Sequence, residues 1–280
     1  MYKNKLFSIL VFMLCLVLAT SCSKFRKIQK SDDWKVKYDA AFKYYESKDY
    51  YKAKLLFDEI LPIIKGTKEA EKAQFYYAYS HFYQKLYTES AFFFKSFYDT
   101  YSRSPYAEEA MFMHAFSNYK ESPKSNLDQS STYEAIAAIQ NFINKYPNSK
   151  YVEQSNEIID QLQIKLEEKA YENAKLYYKI NKSAMNEATM FKAAIRAFNN
   201  FQRDFPDSDL NEEISFLKIE AQYNLAKQSF KNLQKERYAD VVEFYQAFID
   251  TYPGSKYLKE AENMYSNSLS QISDLQSSTK

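Results

Sequence analysis

Glycine is nearly missing from this chain: there are two in 280 residues, alongside six prolines and one tryptophan. Phosphate-cradling loops and glycine-flanked serine nucleophiles need glycine at fixed spacings, so both enzyme classes are excluded. Histidine is equally scarce. His81 and His114 are the whole supply. Neither has Cys or carboxylates at ligand spacing, so packing is the reading for both and no metal centre is expected. The only cysteines are Cys15 and Cys22. Cys15 lies in an apolar leader that is removed, which leaves one thiol and no internal disulfide. Net charge is also small, with 38 basic against 36 acidic residues. Lys3 and Lys5 belong to the leader, so the mature chain carries 36 of each sign. A nucleic-acid footprint needs a positive surplus, so no nucleic acid is expected as a partner. The paired acids Glu167-Glu168 and Glu212-Glu213 read as solvated helix faces or helix-start charges. A carboxylate hydrolase would set one of such a pair in an apolar pocket. No cofactor is implied, and the chain is expected not to be an enzyme.

Aromatic residues are plentiful instead, at 18%. With so little glycine and proline the chain is expected to be helical nearly throughout. A turn pattern recurs along it. Phe142-Ile143-Asn144-Lys145-Tyr146-Pro147-Asn148-Ser149-Lys150-Tyr151 is echoed by Phe201-Gln202-Arg203-Asp204-Phe205-Pro206-Asp207-Ser208. Phe248-Ile249-Asp250-Thr251-Tyr252-Pro253-Gly254-Ser255-Lys256-Tyr257 is a third copy, and Phe97 to Tyr106 a looser one. Proline ends one helix and the following Ser or Asp caps the next. The helix before each turn keeps one rhythm: Tyr238, Val241, Tyr245, Phe248; Phe191, Ala194, Phe198, Phe201; Thr132, Ala135, Ile139, Phe142; Tyr87, Ser90, Phe94, Phe97. Tyr50, Ala53, Phe57, Ile60 and Ile64 share the register. Steps of three and four hold one helical stripe, and a small residue at its second position admits a neighbouring helix. This pattern resembles the tetratricopeptide repeat (TPR). The expected fold is all-α, a TPR-like solenoid of about five helical hairpins with a C-terminal capping helix.

Residues 1–21 read as a lipoprotein signal peptide. Lys3 and Lys5 precede an apolar run from Leu6 to Ala19, too short for an ordinary membrane span. Leu18-Ala19-Thr20-Ser21-Cys22 resembles a bacterial lipobox, with Cys22 as the lipidation site. Several acyl chains on one residue anchor stably. Residues 22–30 make a lipidated, basic tether. The remaining expected divisions are N-terminal repeats over 31–148, C-terminal repeats over 149–270 and a flexible tail over 271–280. Ser149 to Ile180 holds no Gly or Pro and reads as one long helix, and Asp207 to Glu236 as a second.

The stretch Leu127-Asp128-Gln129-Ser130-Ser131-Thr132, leading through Ala135 and Phe142 to Tyr146-Pro147-Asn148-Ser149-Lys150-Tyr151 and the long helix, resembles the BamD family. These are lipoproteins of the outer-membrane β-barrel assembly machinery. The resemblance runs from about Trp34 to Leu269, with a polar insertion near Ser183 to Thr189 as a departure. It implies a scaffold, anchored by lipid in the outer membrane of a Gram-negative bacterium and facing the periplasm. It implies that the C-terminal repeats bind a BamA-like barrel subunit. It also implies that the N-terminal repeats bind unfolded outer-membrane substrates through a C-terminal strand ending in an aromatic residue. The residues agree in kind. Tyr38, Phe42 and Tyr45, with Phe75, Tyr79 and Tyr83, either line a groove or form shared core; Lys35 and Lys72 could meet a terminal carboxylate. The competing reading is a periplasmic TPR lipoprotein that scaffolds cell-wall or envelope-spanning complexes.

Overall fold

In the computed structural model residues 24–181 and 187–277 are described, so the leader, Cys22 and most of the polar insertion lie outside the described residues. Every regular element among them is a helix. After a short α1 (residues 24–29) come α2 (Trp34–Glu46), α3 (Tyr50–Ile60), α4 (Lys68–Tyr83), α5 (Tyr87–Thr100), α6 (Ala107–Glu121) and α7 (Ser130–Lys145). The order continues with α8 (Val152–Asn181), α9 (Glu187–Asp204), α10 (Asn211–Lys227), α11 (Lys231–Thr251) and α12 (Leu258–Ser277). The fold is all-α and TPR-like.

Local chemistry explains the boundaries. Asp33 caps α2 by accepting from the Lys35 amide at 2.9 Å. With glycine so rare, the left-handed positions that end α2 and α4 fall to Lys48 (φ 63°) and Lys85 (φ 62°). The amides that follow them close back on Tyr44 and His81 carbonyls at 2.8 and 3.0 Å, which satisfies carbonyls that the helix end would orphan. Asp128 serves α7, accepting from the Ser130 amide at 2.9 Å.

The recurrent turn works as its composition suggests and adds a tie between hairpins. Each turn serine accepts a bond from the amide two residues on: Ser104 from Tyr106, Ser149 from Tyr151, Ser208 from Leu210, Ser255 from Tyr257, at 3.0–3.2 Å. Three of these hydroxyls also donate to a glutamate of the preceding hairpin. Ser104 reaches Glu71 at 2.5 Å, Ser149 reaches Glu108 at 2.6 Å, and Ser208 reaches Glu167. Turn tyrosines then lie flat on a phenylalanine of the preceding hairpin. Tyr106 stacks on Phe75, Tyr151 on Phe112 and Tyr257 on Phe216, with centroids 4.3–4.6 Å apart. Ser149→Ala removes both a cap acceptor and a charge-assisted bond, so it is expected to cost about 1–2 kcal/mol. Urea unfolding checks this, and a change within error would show that the serine is only incidental to the turn.

The stripes read from the sequence are the core. Phe57, Phe94, Phe97, Phe142, Phe198, Phe201 and Phe248 are the largest fully buried side chains. One compact unit ends at Leu162 and the next begins at Gln163, inside α8. That helix is the expected long one, about 45 Å at 1.5 Å per residue. It serves two cores. Ile158 and Leu162 pack with Ala115, Ala135 and Ile139. Ala174 and Tyr178 pack with Phe191, Ala194, Phe198 and Phe201.

One expectation is corrected. The second long stretch, Asp207 to Glu236, breaks at residues 228–230. There the Gln234 amide donates to the Ser229 carbonyl at 3.0 Å, a side-chain cap that no Gly or Pro announces. The tail from Gln271 is helical as far as Ser277, because Ile272 and Leu275 continue the half-buried stripe of Met264 and Tyr265. Within the tether, Phe25 is 9% exposed and packs into the first hairpin's core.

Candidate functional site

Helices α2 and α4 of the first two hairpins carry an aromatic shelf. On α4, Lys72, Tyr76, Tyr79 and Tyr83 are spaced four, three and four apart and share one stripe. On α2, Tyr38, Phe42 and Tyr45 face it. Phe42 meets Tyr38 at 4.8 Å and Tyr76 at 5.2 Å between ring centroids. Tyr45 meets Tyr76 at 4.8 Å and Tyr83 at 6.2 Å. Tyr83 stacks on Tyr50 at 4.5 Å and on Tyr79 at 5.8 Å, and stays 47% exposed. The Lys72 ammonium lies 4.6 Å from the Phe42 centroid and 5.8 Å from that of Tyr76. It takes part in no ion pair among the described residues.

The shelf therefore unites Tyr38, Phe42, Tyr45, Lys72, Tyr79 and Tyr83. It does not include two expected members. Phe75 is 3% exposed and turned into the core against Tyr106, Phe94 and Phe97. It stands three residues from Lys72, on the flank of the stripe that α5 and the following turn cover. The Lys35 ammonium instead lies over Trp34, 5.7 Å from its ring. Tyr76 and Tyr50 are the members that sequence reasoning missed. The spacing of four from Lys72 to Tyr76 was the available signal.

Electrostatically the shelf is a set of neutral phenols beside one cation. Burial raises the hydroxyls of Tyr38, Tyr45, Tyr76 and Tyr79 above the ordinary tyrosine value. Tyr79 also donates to Glu109. Such a surface offers aromatic faces, phenolic donors and one ammonium. An aromatic side chain and a carboxylate on one extended peptide would complement it.

Both histidines have structural partners. Burial holds His81 and His114 below the usual histidine range, and each ring bonds a carbonyl, of Tyr77 and Ala91, at 2.9 Å. No group of His, Cys, Asp and Glu among the described residues could hold a metal. Two of the paired acids are not simply solvated. Glu167 accepts from Ser208, and Glu213 accepts from Lys175 and Tyr171, both at 2.9 Å. Against the cost of burial, those two bonds keep Glu213 below the usual carboxylate value.

No helix of the described residues is long and apolar enough to cross a membrane. No curated protein matches the chain. A solved structure described as a computational design of self-assembling cyclic protein homooligomers is similar at 14% identity. It covers 95% of this chain and 97% of its own, at a TM-score of 0.20 that bears on neither fold nor function. The profile of the YfiO family, described as outer membrane lipoproteins, matches residues 30–232, from just after α1 into the start of α11. The match takes in both shelf helices, the recurrent turns up to Ser208 and all of α8. The chain belongs to the YfiO family of outer membrane lipoproteins.

Proposed function

We propose that the protein is a non-catalytic scaffold of outer-membrane protein assembly, anchored through lipid on Cys22 and facing the periplasm. Its N-terminal hairpins receive unfolded β-barrel substrates. Its C-terminal unit binds a BamA-like barrel subunit. Membership of an outer membrane lipoprotein family supports the setting. The observation that carries the substrate reading is the aromatic shelf with the Lys72 ammonium seated on it. A barrel strand that ends in an aromatic residue has a ring and a carboxylate at one end. The ring stacks with Tyr45 and Tyr83, and the carboxylate meets Lys72. Aromatic pairing and a charge-assisted bond together select such an end over an internal segment. For the barrel subunit, support comes from Leu176, Tyr177 and Ile180 on α8 and from Phe230, all exposed apolar side chains of the C-terminal unit.

Fluorescence anisotropy with a labelled peptide ending in a free aromatic residue tests the substrate site. Lys72→Ala is expected to weaken binding by about tenfold. Amidating the peptide's C-terminus should weaken it equally, and Lys72→Ala should then have no further effect. Two losses that simply add would break the link between Lys72 and the carboxylate.

A further inference from the structure

The segment that follows Cys22 is docked. In α1, the Phe25 ring packs on Tyr44 at 5.6 Å, and the Lys52 ammonium sits 5.9 and 5.3 Å from those two rings. Gln29 donates to Glu59 at 2.8 Å, and Lys37 pairs with the other oxygen of Glu59 at 2.6 Å. Between α1 and α2 lies an open cavity of about 620 Å³. Its apolar lining comes from Ile28, Val36, Ala40 and Tyr44. Its charged lining comes from Lys24, Lys43 and Asp39. Asp39 and Lys43 are one helical turn apart and on the same side. Yet no ion pair among the described residues uses either of them or Lys24. All three charged groups are thus free to meet a ligand.

We propose that this cavity seats the headgroup of a phosphoethanolamine phospholipid drawn from the leaflet that holds the Cys22 anchor. The inference rests on the anchor in the proposed function. Cys22 is two residues before Lys24, a backbone reach of at most about 7 Å. A lipid-bearing Cys22 therefore brings the cavity to the membrane surface. The charges match a headgroup with both signs. Lys24 and Lys43 pair with the phosphate, and Asp39 accepts from the primary ammonium. The apolar lining takes the glycerol and the first methylenes, a volume in the range of ordinary ligand pockets. A quaternary choline headgroup has the phosphate but no N–H for Asp39, so it is the poorer ligand. Docked α1 makes the arrangement rigid, and the first hairpin is held against the bilayer beside its own anchor.

Native mass spectrometry of the full processed chain, released from detergent with added phosphatidylethanolamine, phosphatidylcholine or inorganic phosphate, tests this. One retained phosphatidylethanolamine per chain is expected, in preference to phosphatidylcholine. Lys43→Glu and Asp39→Lys, both at exposed positions, should each reduce retention by about fivefold or more with no change in melting temperature. Equal retention of the two lipids, or variants that retain lipid like the parent, would overturn the proposal. Retention of inorganic phosphate in place of lipid would do so too, since the source would then be free anion. The intact mass in the same spectra reports acylation of Cys22 separately. An unmodified mass defeats the anchor, while lipid retention still decides the cavity.

Discussion

Phe248→Ala lowers the melting temperature of the C-terminal unit by more than about 10 °C. The side chain is 2% exposed and packs with Phe216, Ile219, Val241, Tyr245 and Ala261, with Tyr252 at 5.5 Å. Truncation removes a ring's transfer free energy and leaves a cavity that helices held by turns on both sides cannot close. The cost is about 3–5 kcal/mol. Differential scanning calorimetry is the right readout, because a chain of two compact units can unfold in more than one transition. Phe230→Ala is the matched control. It deletes the same ring in the same unit, but from a position 83% exposed, and is expected to shift stability by no more than about 0.5 kcal/mol. Similar effects at the two positions would mean that the stripe of α11 is out of register with its core.

Cys22→Ala is expected to abolish lipid attachment and, with it, the direct hold of the chain on the bilayer. On the proposed anchor, each buried methylene contributes about 0.8 kcal/mol, and several acyl chains sit on this one residue. No described helix can substitute by spanning the bilayer. Fractionation in high salt with labelled palmitate measures both parts. A variant that still sediments with membranes and still takes up label would refute the lipobox. One that sediments without label would point to retention by a protein partner.

Much of this molecule was legible because its chemistry is local. The stripe of α7, Thr132, Ala135, Ile139 and Phe142, is buried as its spacing demands. The caps at Asp33, Asp128 and Ser149 follow from short polar side chains next to a helix start. The candidate site was only half legible. Tyr38, Phe42, Tyr45, Lys72, Tyr79 and Tyr83 do converge, but the same aromatic types make both core and shelf, so type could not separate Phe75 from Tyr76. Position on the helix separates them, once the neighbour is known.

The sequence by itself determined the helical class, the repeat register, the recurrent turns and the length of α8, since each depends on residues within a turn or two of one another. Tertiary structure decided what those helices touch. It turned Phe75 inward and left Tyr83 out, and it divided α8 between two cores at Leu162. It also drew the basic tether onto the first hairpin through Phe25 and placed Lys24 and Lys43 in the lining of one cavity. The reason is physical. Periodicity states that a helix has one apolar face, but which surface covers that face is settled only by residues far away in the chain.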